Sequence, residues 1–480
     1  MRLKLFVLVM VVLAIALAFV ACGEGGGGTG GRTTTGTGSI NTSMSDPATC
    51  AGPSGPFTRV IVTVTRVRAH TSATAPDNDA GFVDLTPSNM APVQVDLLGS
   101  PNAQCFLAQL GTNVQIPTGT YQQIRIILLD NNQTQALSSN QCGVGNGVNC
   151  VVLTSDGSTH QLNLSSEATT GIKLTTEQIL GGNFTVQSGQ TANINLNFNA
   201  CASVVSGGGS QFRLKPVVHA DSISTTLNIS GRIIDSVTQG TISGGKVIVA
   251  LERTDLSGVE RVIMETTPDG GGNFVFCPVA SGNYEVVATA VNGANVAYAA
   301  TVTTGVPAGT NLGNVPIIPQ PGSGAVTSPA SINGTITTTG TAGATPADVV
   351  LSAMQSVTIG TANVLMTIPV TAQGVSTLTA TTQASGCVVP TTACTNYTLQ
   401  VPAANPNVGA FATTGTTYTQ DTLSPVNYSV DGQAFVTSSP STPSCAPSFV
   451  RVNTLSGGGP LAVTGGASAN ADILAFSGCQ

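Results

Sequence analysis

The sequence contains few of the residue types on which many functional sites depend. None of its 480 residues is Trp, aromatic residues make up 4% and charged residues 8%. The three histidines, His70, His160 and His219, lie far in sequence from any cluster of cysteines, and no C-x-x-C occurs. Zinc binding through Cys and His is therefore not expected, and we predict no cofactor.

Basic residues are also scarce. The chain has 15 Lys and Arg against 22 Asp and Glu, a net charge of −7, and no basic run. Binding to nucleic acid depends on Lys and Arg that neutralise phosphates. We therefore predict no nucleic-acid partner.

Motifs for catalysis are incomplete. Residues 240–247 nearly spell a phosphate-binding loop, but Val247 stands where a Mg²⁺-binding Ser or Thr is needed, and a β-branched run follows in place of a helix. We interpret this stretch as a turn. No Gly-x-Ser-x-Gly nucleophile elbow is present. The sequence thus predicts a protein that is not an enzyme.

What the chain does contain favours β-structure. Hydrophobic residues reach 41%, too many for a wholly disordered chain, and Gly, Thr, Ser, Ala and Val dominate. Many β-branched residues favour strands, and 56 Gly with 26 Pro favour turns between them. In residues 193–198 three asparagines alternate with three apolar residues, which predicts a strand with a polar outer face. We predict an all-β fold of tandem antiparallel β-sandwich domains.

The N-terminus has the three parts of a secretory signal peptide. Arg2 and Lys4 form a positive start, an apolar run follows from Leu5 to Ala21, and a small residue precedes Cys22. An uncleaved membrane helix is the alternative, but the run is just under the length of a spanning segment and no basic flank follows it.

The last four residues of this segment, Phe19 to Cys22, resemble a bacterial lipobox, with Phe19 where Leu is usual. The resemblance implies that signal peptidase II removes residues 1–21 and that the Cys22 thiol carries a diacylglycerol. The predicted partner is then the membrane, through this lipid. Position 23 is Gly, whereas an Asp directly after the lipidated Cys commonly retains lipoproteins at the inner membrane. We expect a location in the bacterial cell envelope, at the outer membrane, facing the periplasm or the surface.

Cysteine parity agrees with export. If Cys22 is acylated, ten of the 11 cysteines remain, and exported proteins keep disulfides. Three local pairs are predicted: Cys142 with Cys150, Cys387 with Cys394, and Cys445 with Cys479. The first pair brackets a Gly-rich loop that is too flexible to order itself. Among Cys50, Cys105, Cys201 and Cys277, three pairings are open, and Cys105 with Cys201 is favoured.

Residues 22–55 are rich in Gly, Thr and Ser and predict a flexible tether.

Residues 56–224 then carry several motifs in order, namely Val-Asp-Leu-Leu (95–98), Pro-Thr-Gly-Thr-Tyr-Gln-Gln-Ile-Arg (117–125), Gly-Ile-Lys-Leu (171–174), Asn-Phe-Asn-Ala-Cys (197–201) and Leu-Lys-Pro-Val-Val (214–218). The series is similar to the domain-of-unknown-function family 4382, which is typical of exported lipoproteins. The resemblance implies an exported β-rich domain and supplies no catalytic residues.

Residues 225–318 resemble a different family, the carboxypeptidase regulatory-like, transthyretin-like sandwich. The resemblance lies in Asn-Ile-Ser-Gly-Arg-Ile-Ile-Asp (228–235), the Pro-Asp-Gly-Gly-Gly turn (268–272) and Val-Ala-Ser-Gly-Asn-Tyr-Glu-Val (279–286). Pro117-x-Gly-x-Tyr121 echoes Gly282-Asn-Tyr284, which indicates a shared strand-and-turn arrangement. Residues 319–330 are predicted to form a linker. Residues 331–480 predict a Ser/Thr-rich β domain, and a loosely ordered stalk is the alternative.

Two sets of side chains are candidate sites. Asp77, Asp79 and Asp84 are a weak calcium candidate, because calcium prefers carboxylate oxygens near a Gly-containing loop; an acidic turn is the simpler interpretation. The second set is aromatic and belongs to residues 331–480: Tyr397, Phe411, Tyr418, Tyr428 and Phe435. These residues either meet a ligand or fill the core.

The sequence favours one function over another. We predict a non-enzymatic, membrane-anchored lipoprotein that acts as a binding or scaffolding protein. The alternative is a carbohydrate-binding or adhesive protein that uses its sandwich domains, which the second resemblance allows and the lack of Trp disfavours. A glycan or an envelope protein is the partner that these two functions imply.

Overall fold

The structure is a computed structural model that describes residues 36–45, 56–99, 108–207, 211–223, 227–385, 387–420, 425–437, 445–454 and 459–480. The predicted signal peptide and Cys22 lie outside these residues. Among the residues described, no helix has the length and apolar character needed to cross a membrane.

The fold is all-β, as the composition predicts. In residues 36–223, the first region, the strands are β1 (Thr37–Ser45), β2 (Phe57–His70), β3 (Val83–Asp84), β4 (Val93–Asp96), β5 (Ala108–Pro117), β6 (Gly119–Tyr121), β7 (Gln123–Leu128), β8 (Cys150–Leu153), β9 (Thr159–Asn163), β10 (Ile172–Leu174), β11 (Phe184–Val186), β12 (Thr191–Phe198), β13 (Val204–Gly207), β14 (Gln211–Leu214) and β15 (Val218–Ser222). A short helix, α1 (Ala200–Ser203), and a 3₁₀ turn (Thr134–Ala136) complete this region.

Residues 227–317, the second region, contain β16 (Leu227–Asp235), β17 (Lys246–Thr254), β18 (Glu260–Thr266), β19 (Asn273–Val279), β20 (Asn283–Val291), β21 (Thr301–Pro307) and β22 (Asn311–Ile317). Residues 330–480, the third region, contain β23 (Ala330–Gly340), β24 (Gly343–Ala344), β25 (Ala347–Ile359), β26 (Ala362–Ile368), β27 (Leu378–Thr381), β28 (Ala393–Val401), β29 (Asn407–Ala410), β30 (Thr419–Gln420), β31 (Asn427–Val436), β32 (Phe449–Val452), β33 (Leu461–Ala462), β34 (Ser468–Asn470) and β35 (Leu474–Cys479). Two further 3₁₀ turns are Gly324–Thr327 and Thr371–Gln373.

The first region encloses a core of its own between two main sheets. One has four strands in the order β15-β12-β1-β5, and the other has nine, built on the path β10-β7-β2-β8-β9-β14-β13 with β3 and β4 beside β2. Apolar side chains from both sheets form one buried cluster. Strands β6 and β11 pair separately.

Strand β1 corrects the predicted tether. Residues 37–45 pair in parallel with β12 and antiparallel with β5, in the interior of the four-stranded sheet. Ile40 and Met44 point into the core with no exposed surface. The prediction of a flexible tether over 22–55 is therefore wrong for residues 37–45. Their Gly, Thr and Ser content hid a strand with only two large apolar residues, because neighbouring strands supply the rest of the core.

The asparagines of β12 do not form a solvated outer face, contrary to the prediction. Asn195 and Asn197 are 0% and 2% exposed. The Asn195 amide nitrogen donates to Ser45 Oγ at 2.8 Å, and Ser43 Oγ donates to Asn195 Oδ1 at 3.3 Å. These hydrogen bonds across β1 and β12 satisfy the buried polar groups, which burial would otherwise make costly.

The second and third regions share one sheet. Its twelve strands follow the path β30-β29-β21-β20-β17-β18-β26-β25-β31-β32, with β27 and β33 at its side. Parallel pairings of β18 with β26 and of β21 with β29 join the two regions. A three-stranded sheet, β19-β16-β22, and a five-stranded sheet built on β23 each share a buried apolar cluster with it. The domain boundaries drawn at 319–330 remain a prediction, and the shared sheet continues on both sides of them.

Two tyrosines give the first and second regions the same local feature. The Tyr121 hydroxyl donates to the carbonyl of Pro117 at 2.7 Å, and the Tyr284 hydroxyl donates to the carbonyl of Ala280 at 2.8 Å. Each bond reaches back four residues and fixes the turn that leads into a strand, as in the tyrosine corner of other sandwiches. The sequence echo between these two stretches thus corresponds to a shared hydrogen bond.

Three disulfides lie among the described residues. They join Cys142 to Cys150, Cys387 to Cys394, and Cys445 to Cys479, the same three local pairs that the sequence predicts. Cys277 is also disulfide-bonded. The predicted pair of Cys105 with Cys201 lies outside the described side chains.

Candidate functional site

A cavity of about 700 Å³ lies where the three regions meet and offers room for a ligand. The first region contributes β10, the segment after it and the start of β15. The second contributes the β17–β18 hairpin, and the third contributes β25, β31 and the start of β32. Sheets from all three regions therefore hold the walls in place.

The motif Leu-Lys-Pro-Val-Val places a lysine in this wall. Pro216 lacks an amide hydrogen and lies where the chain leaves β14 and crosses to β15 in the other sheet. The backbone nitrogen of Lys215 donates to Ser203 O at 2.8 Å, which fixes the crossover. The Lys215 side chain is fully buried, and its Nζ lies 4.6 Å from the centroid of the Phe435 ring.

The surroundings of Lys215 disfavour its charged form. Among the described residues its Nζ has no hydrogen-bond partner. Burial lowers the pKa of Lys215 to about 8, against the opposing attraction of Asp348. The contact with Phe435 provides a cation–π attraction in place of a hydrogen bond.

An ion pair beside Lys215 joins the first region to the third. Arg213 Nη1 and Nη2 donate to the two carboxylate oxygens of Asp348 at 2.5 and 2.7 Å. Thr381 Oγ1 also donates to Asp348 Oδ1, at 2.7 Å. Asp348 has no exposed surface, so this bidentate pair is a buried anchor between strands β14 and β25.

A second carboxylate in the wall is held by two arginines. Asp431 receives hydrogen bonds from Arg451 at 2.5 and 2.6 Å, and Arg261 Nη2 lies 2.8 Å from Asp431 Oδ2. The ring of Phe449 lies beside both guanidinium groups, 4.5 Å from Arg261 Cζ and 5.7 Å from Arg451 Cζ. Hydrogen bonding to Asp431 raises the pKa of Arg451 further. Both carboxylate oxygens of Asp431 are thus occupied by arginines of the protein itself.

Two other titratable groups of the wall are shifted towards neutrality. Burial raises the pKa of Glu265, which accepts a hydrogen bond from Ser376 N at 2.8 Å. Desolvation lowers the pKa of His219 to about 4, so its imidazole is neutral at pH 7. The His219 imidazole therefore offers no charge to a ligand at that pH.

Two further cations complete the wall. Lys173 on β10 and Arg253 on β17 line the cavity, and neither has a hydrogen bond or ion pair within the described part of the chain. The pKa of Lys173 is lowered, first by burial and then by the nearby Arg125. In a chain with few basic residues, three cations without an ion pair therefore share one cavity: Lys173, Lys215 and Arg253.

The predicted calcium candidates have separate partners. Arg125 Nη2 donates to Asp77 Oδ1 at 2.6 Å, His70 Nε2 lies 3.3 Å from Asp79 Oδ1, and Arg66 forms a two-point pair with Asp84. Among the described residues no group of three or more His, Cys, Asp or Glu is arranged to hold a metal. The weak calcium site remains a prediction without structural support.

The predicted aromatic set lies in or against the core. Tyr397, Tyr428 and Phe435 are 5%, 1% and 7% exposed, while Phe411 and Tyr418 pack partly buried against the core. The Tyr428 hydroxyl donates to Pro402 O at 2.8 Å. The core interpretation therefore describes them better than the ligand interpretation, although Phe435 also lines the cavity.

Sequence reasoning missed the cavity residues. Lys215 lies within a motif that indicated family resemblance, yet nothing in its neighbours signals that it is buried. Arg253, Arg261 and Asp431 come from distant parts of the chain, and only the packing of the three regions brings them together.

Comparison with known proteins is informative for the first region. Residues 37–216 match the family described as domain of unknown function (DUF4382). The matched segment begins at β1 and includes Lys215, in agreement with the resemblance seen in the sequence. No curated protein matches the chain.

Solved structures offer only distant similarity. The Bacillus anthracis TIE protein is 10% identical over 92% of this chain, with a TM-score of 0.16, and this chain spans about half, 51%, of its length. The shaft pilin SpaA from Lactobacillus rhamnosus GG is 11% identical over 61% of this chain and 100% of its own, with a TM-score of 0.17. A DUF3823 family protein from Bacteroides uniformis is 9% identical over 44% of this chain and 90% of its own, with a TM-score of 0.16. Scores this low support no conclusion about function.

Proposed function

We propose that this protein is a non-enzymatic binding protein of the bacterial cell envelope, held at the outer membrane by a lipid on Cys22. The observation that carries the proposal is the set of three disulfides in the described residues. Disulfides persist in exported proteins and are rare in the reducing cytosol. The signal-like segment Met1 to Cys22 supplies both the export route and the anchor.

The cavity supports a binding role. Its volume of about 700 Å³ lies within the range of roughly 300–1,000 Å³ that is usual for small-molecule sites. Two acids in its wall are engaged: Asp431 by two arginines, and Asp255 by Arg261 and its own turn. Groups held in this way stabilise a fixed wall rather than transfer protons, which favours binding over catalysis.

The anchor is tested by replacing Cys22 with Ala in the full chain. Lipidation and cleavage before residue 22 should disappear, and the precursor should leave the outer-membrane fraction. The matched control is the double replacement Cys142→Ala and Cys150→Ala, which removes a disulfide but leaves the lipid. Mass spectrometry of the wild-type N-terminus that finds an unmodified Cys22 contradicts the anchor.

The non-enzymatic claim needs a separate test. The purified full-length protein is incubated with glycoside, ester and peptide substrates, and we expect no turnover. Lys215 is the side chain to replace in this test, because a buried amine with a pKa of about 8 is a potential nucleophile or base. Turnover that Lys215→Met abolishes while the fold persists would overturn the claim.

Carbohydrate binding or adhesion is the second candidate, and one residue favours it. Phe449 is 36% exposed beside the cavity, flanked by two arginines, and exposed aromatic rings serve as platforms for sugars. A glycan array probed with the full-length protein and with Phe449→Ala separates the two candidates. Glycan signals that depend on Phe449 would favour the second.

A further inference from the structure

The second and third regions meet along two junctions that are built differently. Strands β21 and β29 pair in parallel over four residue pairs, and the amide of Asn407 donates to the carbonyl of Ala300 at 2.7 Å. Strands β18 and β26 share a single residue pair, Glu260 with Met366. The first junction is therefore a backbone ladder, whereas the second depends on further contacts.

Glutamates of the second region supply those contacts. Glu252 Oε2 accepts a hydrogen bond from the amide of Thr367 at 3.2 Å, and Glu265 Oε2 accepts one from the amide of Ser376 at 2.8 Å. Thr367 Oγ1 also donates to the carbonyl of Glu260 at 3.2 Å. These five residues are the β18 junction. Two backbone amides of the third region are thus held there by carboxyl groups of the second.

The glutamates of the β18 junction are buried without a cation beside them. Glu252, Glu260 and Glu265 are 0%, 5% and 3% exposed, and none of them has an ion pair among the residues that the structure describes. Within the same residues, Glu252 Oε1 and Glu260 Oε2 also lack a hydrogen-bond partner. Residues 362–385 of the third region contain no ionisable side chain that could neutralise a carboxylate. Burial without a partner favours the protonated form of a carboxyl group.

Neighbouring charges strengthen this preference for the protonated form. Glu285 on β20 lies directly opposite Glu252 in the strand register. The carboxylate of Asp255 acts on Glu260 in the same direction. Arg261 attracts Glu252, but its guanidinium already pairs with two aspartates. Ionisation of one glutamate in this group therefore makes ionisation of the next more costly.

The protons held by these groups couple the β18 junction to pH. Burial is the main cause that raises the pKa of Glu252, Glu260 and Glu265 above the ordinary value of 4.5, and it raises the pKa of Glu285 to about 7. An opened junction exposes the carboxyl groups to water, where they release their protons at lower pH. Opening therefore becomes more favourable as the pH rises above the ordinary value.

The β18 junction also forms part of the cavity wall, to which Glu265 and Thr367 contribute. We propose that this junction is a pH-dependent gate, closed while Glu252, Glu260 and Glu265 carry protons and opened along the cavity wall when they ionise. The ladder of β21 with β29 keeps the two regions together in both states. As a control on the cavity the gate rests on the proposed binding function, but its opening is measured without a ligand.

Hydrogen exchange of the full-length protein, followed by mass spectrometry, tests the gate. After correction for the intrinsic effect of pH on exchange, protection of the Thr367 and Ser376 amides should fall about tenfold or more between about pH 5.5 and about pH 8.5. The amides of Asn407 and Phe411, which donate across the ladder of β21 with β29 at 2.7 and 2.9 Å, should keep their protection. Constant protection at Thr367 and Ser376, or an equal loss at both junctions, would overturn the proposal.

Variants separate the gate from a general loss of stability. The triple replacement Glu252→Gln, Glu260→Gln and Glu265→Gln keeps the side-chain shape and an acceptor oxygen, and it should abolish the fall in protection at Thr367. The single replacement Glu252→Gln, which disturbs the core less, should make that fall smaller. Glu177→Gln is the matched control, because Glu177 is exposed and lies outside the β18 junction, and it should behave as the wild type. An unchanged fall in the single or the triple variant, or a reduced fall in the control, would contradict the gate.

Failure of the gate can be distinguished from failure of the binding function. A protein whose β18 junction opens with pH but whose cavity binds no ligand would keep the gate and contradict the binding function. A protein that binds a ligand and keeps the same protection at every pH would overturn only the gate.

Discussion

The first region and the third treat their charged side chains differently. In the first, Arg59–Asp96 and Arg66–Asp84 lie at the surface, with arginine side chains 38% and 46% exposed. In the third, Asp348 and Asp431 are 0% and 1% exposed and each receives two hydrogen bonds from one arginine. Surface pairs contribute little to stability, whereas breaking a buried pair is costly. With only 8% charged residues, the chain places two buried ion pairs, those of Asp348 and Asp431, where the regions meet.

The largest expected difference between the regions should follow from the removal of β1. A chain that begins at Gly55 lacks residues 37–45, so β12 and β5 lose the strand between them, and Ile40 and Met44 leave the core. We expect the first region to lose cooperative folding while the shared sheet of the other regions persists. Hydrogen exchange should show amides of β12 and β5 unprotected and those of β25 and β31 protected.

The control for this truncation is a chain that begins at Gly36. It keeps β1 and should retain protection throughout the first region. Full protection of β12 and β5 in the shorter chain would mean that β1 is dispensable.

A second prediction contrasts the buried and the surface ion pair. Asp348→Ala leaves Arg213 without its partner in a buried setting, and we expect a loss of about 3–5 kcal/mol in the free energy of unfolding. Asp84→Ala removes the exposed partner of Arg66 and should cost no more than about 1 kcal/mol. Urea denaturation of both variants measures the difference. Similar costs for the two would remove the contrast between the regions.

A third prediction concerns pH and the face of β15 that packs against the second region. Burial raises the pKa of Asp221 from its ordinary value of 3.8 to about 7, with Arg253 opposing the rise. Between these pH values the unfolded carboxyl is ionised while the folded one keeps its proton, so the unfolded chain binds fewer protons. The contribution of Asp221 to the free energy of unfolding should therefore fall as pH rises from about 3.8 to about 7 and then level off, while His219, with its lowered pKa, contributes a slope of the opposite sign.

Asp221→Asn tests this assignment, because an amide does not titrate. The variant should show a shallower fall over that range than the wild type in denaturation at a series of pH values. Glu285, whose pKa burial raises to about 7, adds a slope of the same sign and should remain. An unchanged slope in Asp221→Asn would contradict the assignment.

The smallest expected change in stability tests the similarity between the tyrosine turns of the first and second regions. Tyr121→Phe and Tyr284→Phe each remove a hydroxyl that donates to a carbonyl four residues back. Each should cost about 0.5–1.5 kcal/mol, the usual net value of one hydrogen bond. Thermal unfolding followed by circular dichroism gives the comparison. A large cost for only one of them would show that the two turns are not equivalent.

Much of the fold could be predicted from local patterns. Strands β2, β12 and β17 follow runs of β-branched and alternating residues, and the turn before Tyr284 follows its Gly and Asn. Two of the three local disulfides, Cys142–Cys150 and Cys387–Cys394, follow from sequence separations of 8 and 7 residues, since nearby cysteines in a constrained loop need little other structure to meet. Patterns of this kind are readable because their physical causes act over a few residues.

The cavity could not be predicted in the same way. Lys215, Arg253 and Phe435 belong to three regions, and each has an ordinary local sequence. Burial of Lys215 results from Phe435 and Asp348 approaching across the junction, more than a hundred residues away in the chain. The amphipathic character of lysine makes it common on surfaces, so sequence reasoning places it there by default.

The sequence by itself determined the all-β class, the local disulfides and the tyrosine turns, because propensity, loop closure and short hydrogen bonds depend on neighbours along the chain. Only the tertiary structure decided that residues 37–45 form an inner strand, that Asn195 and Asn197 of β12 are buried, and that one twelve-stranded sheet serves two regions. These features depend on which distant surfaces pack together. A weakly apolar segment such as Thr37–Ser45 becomes a strand because β12 and β5 offer it hydrogen bonds on both sides.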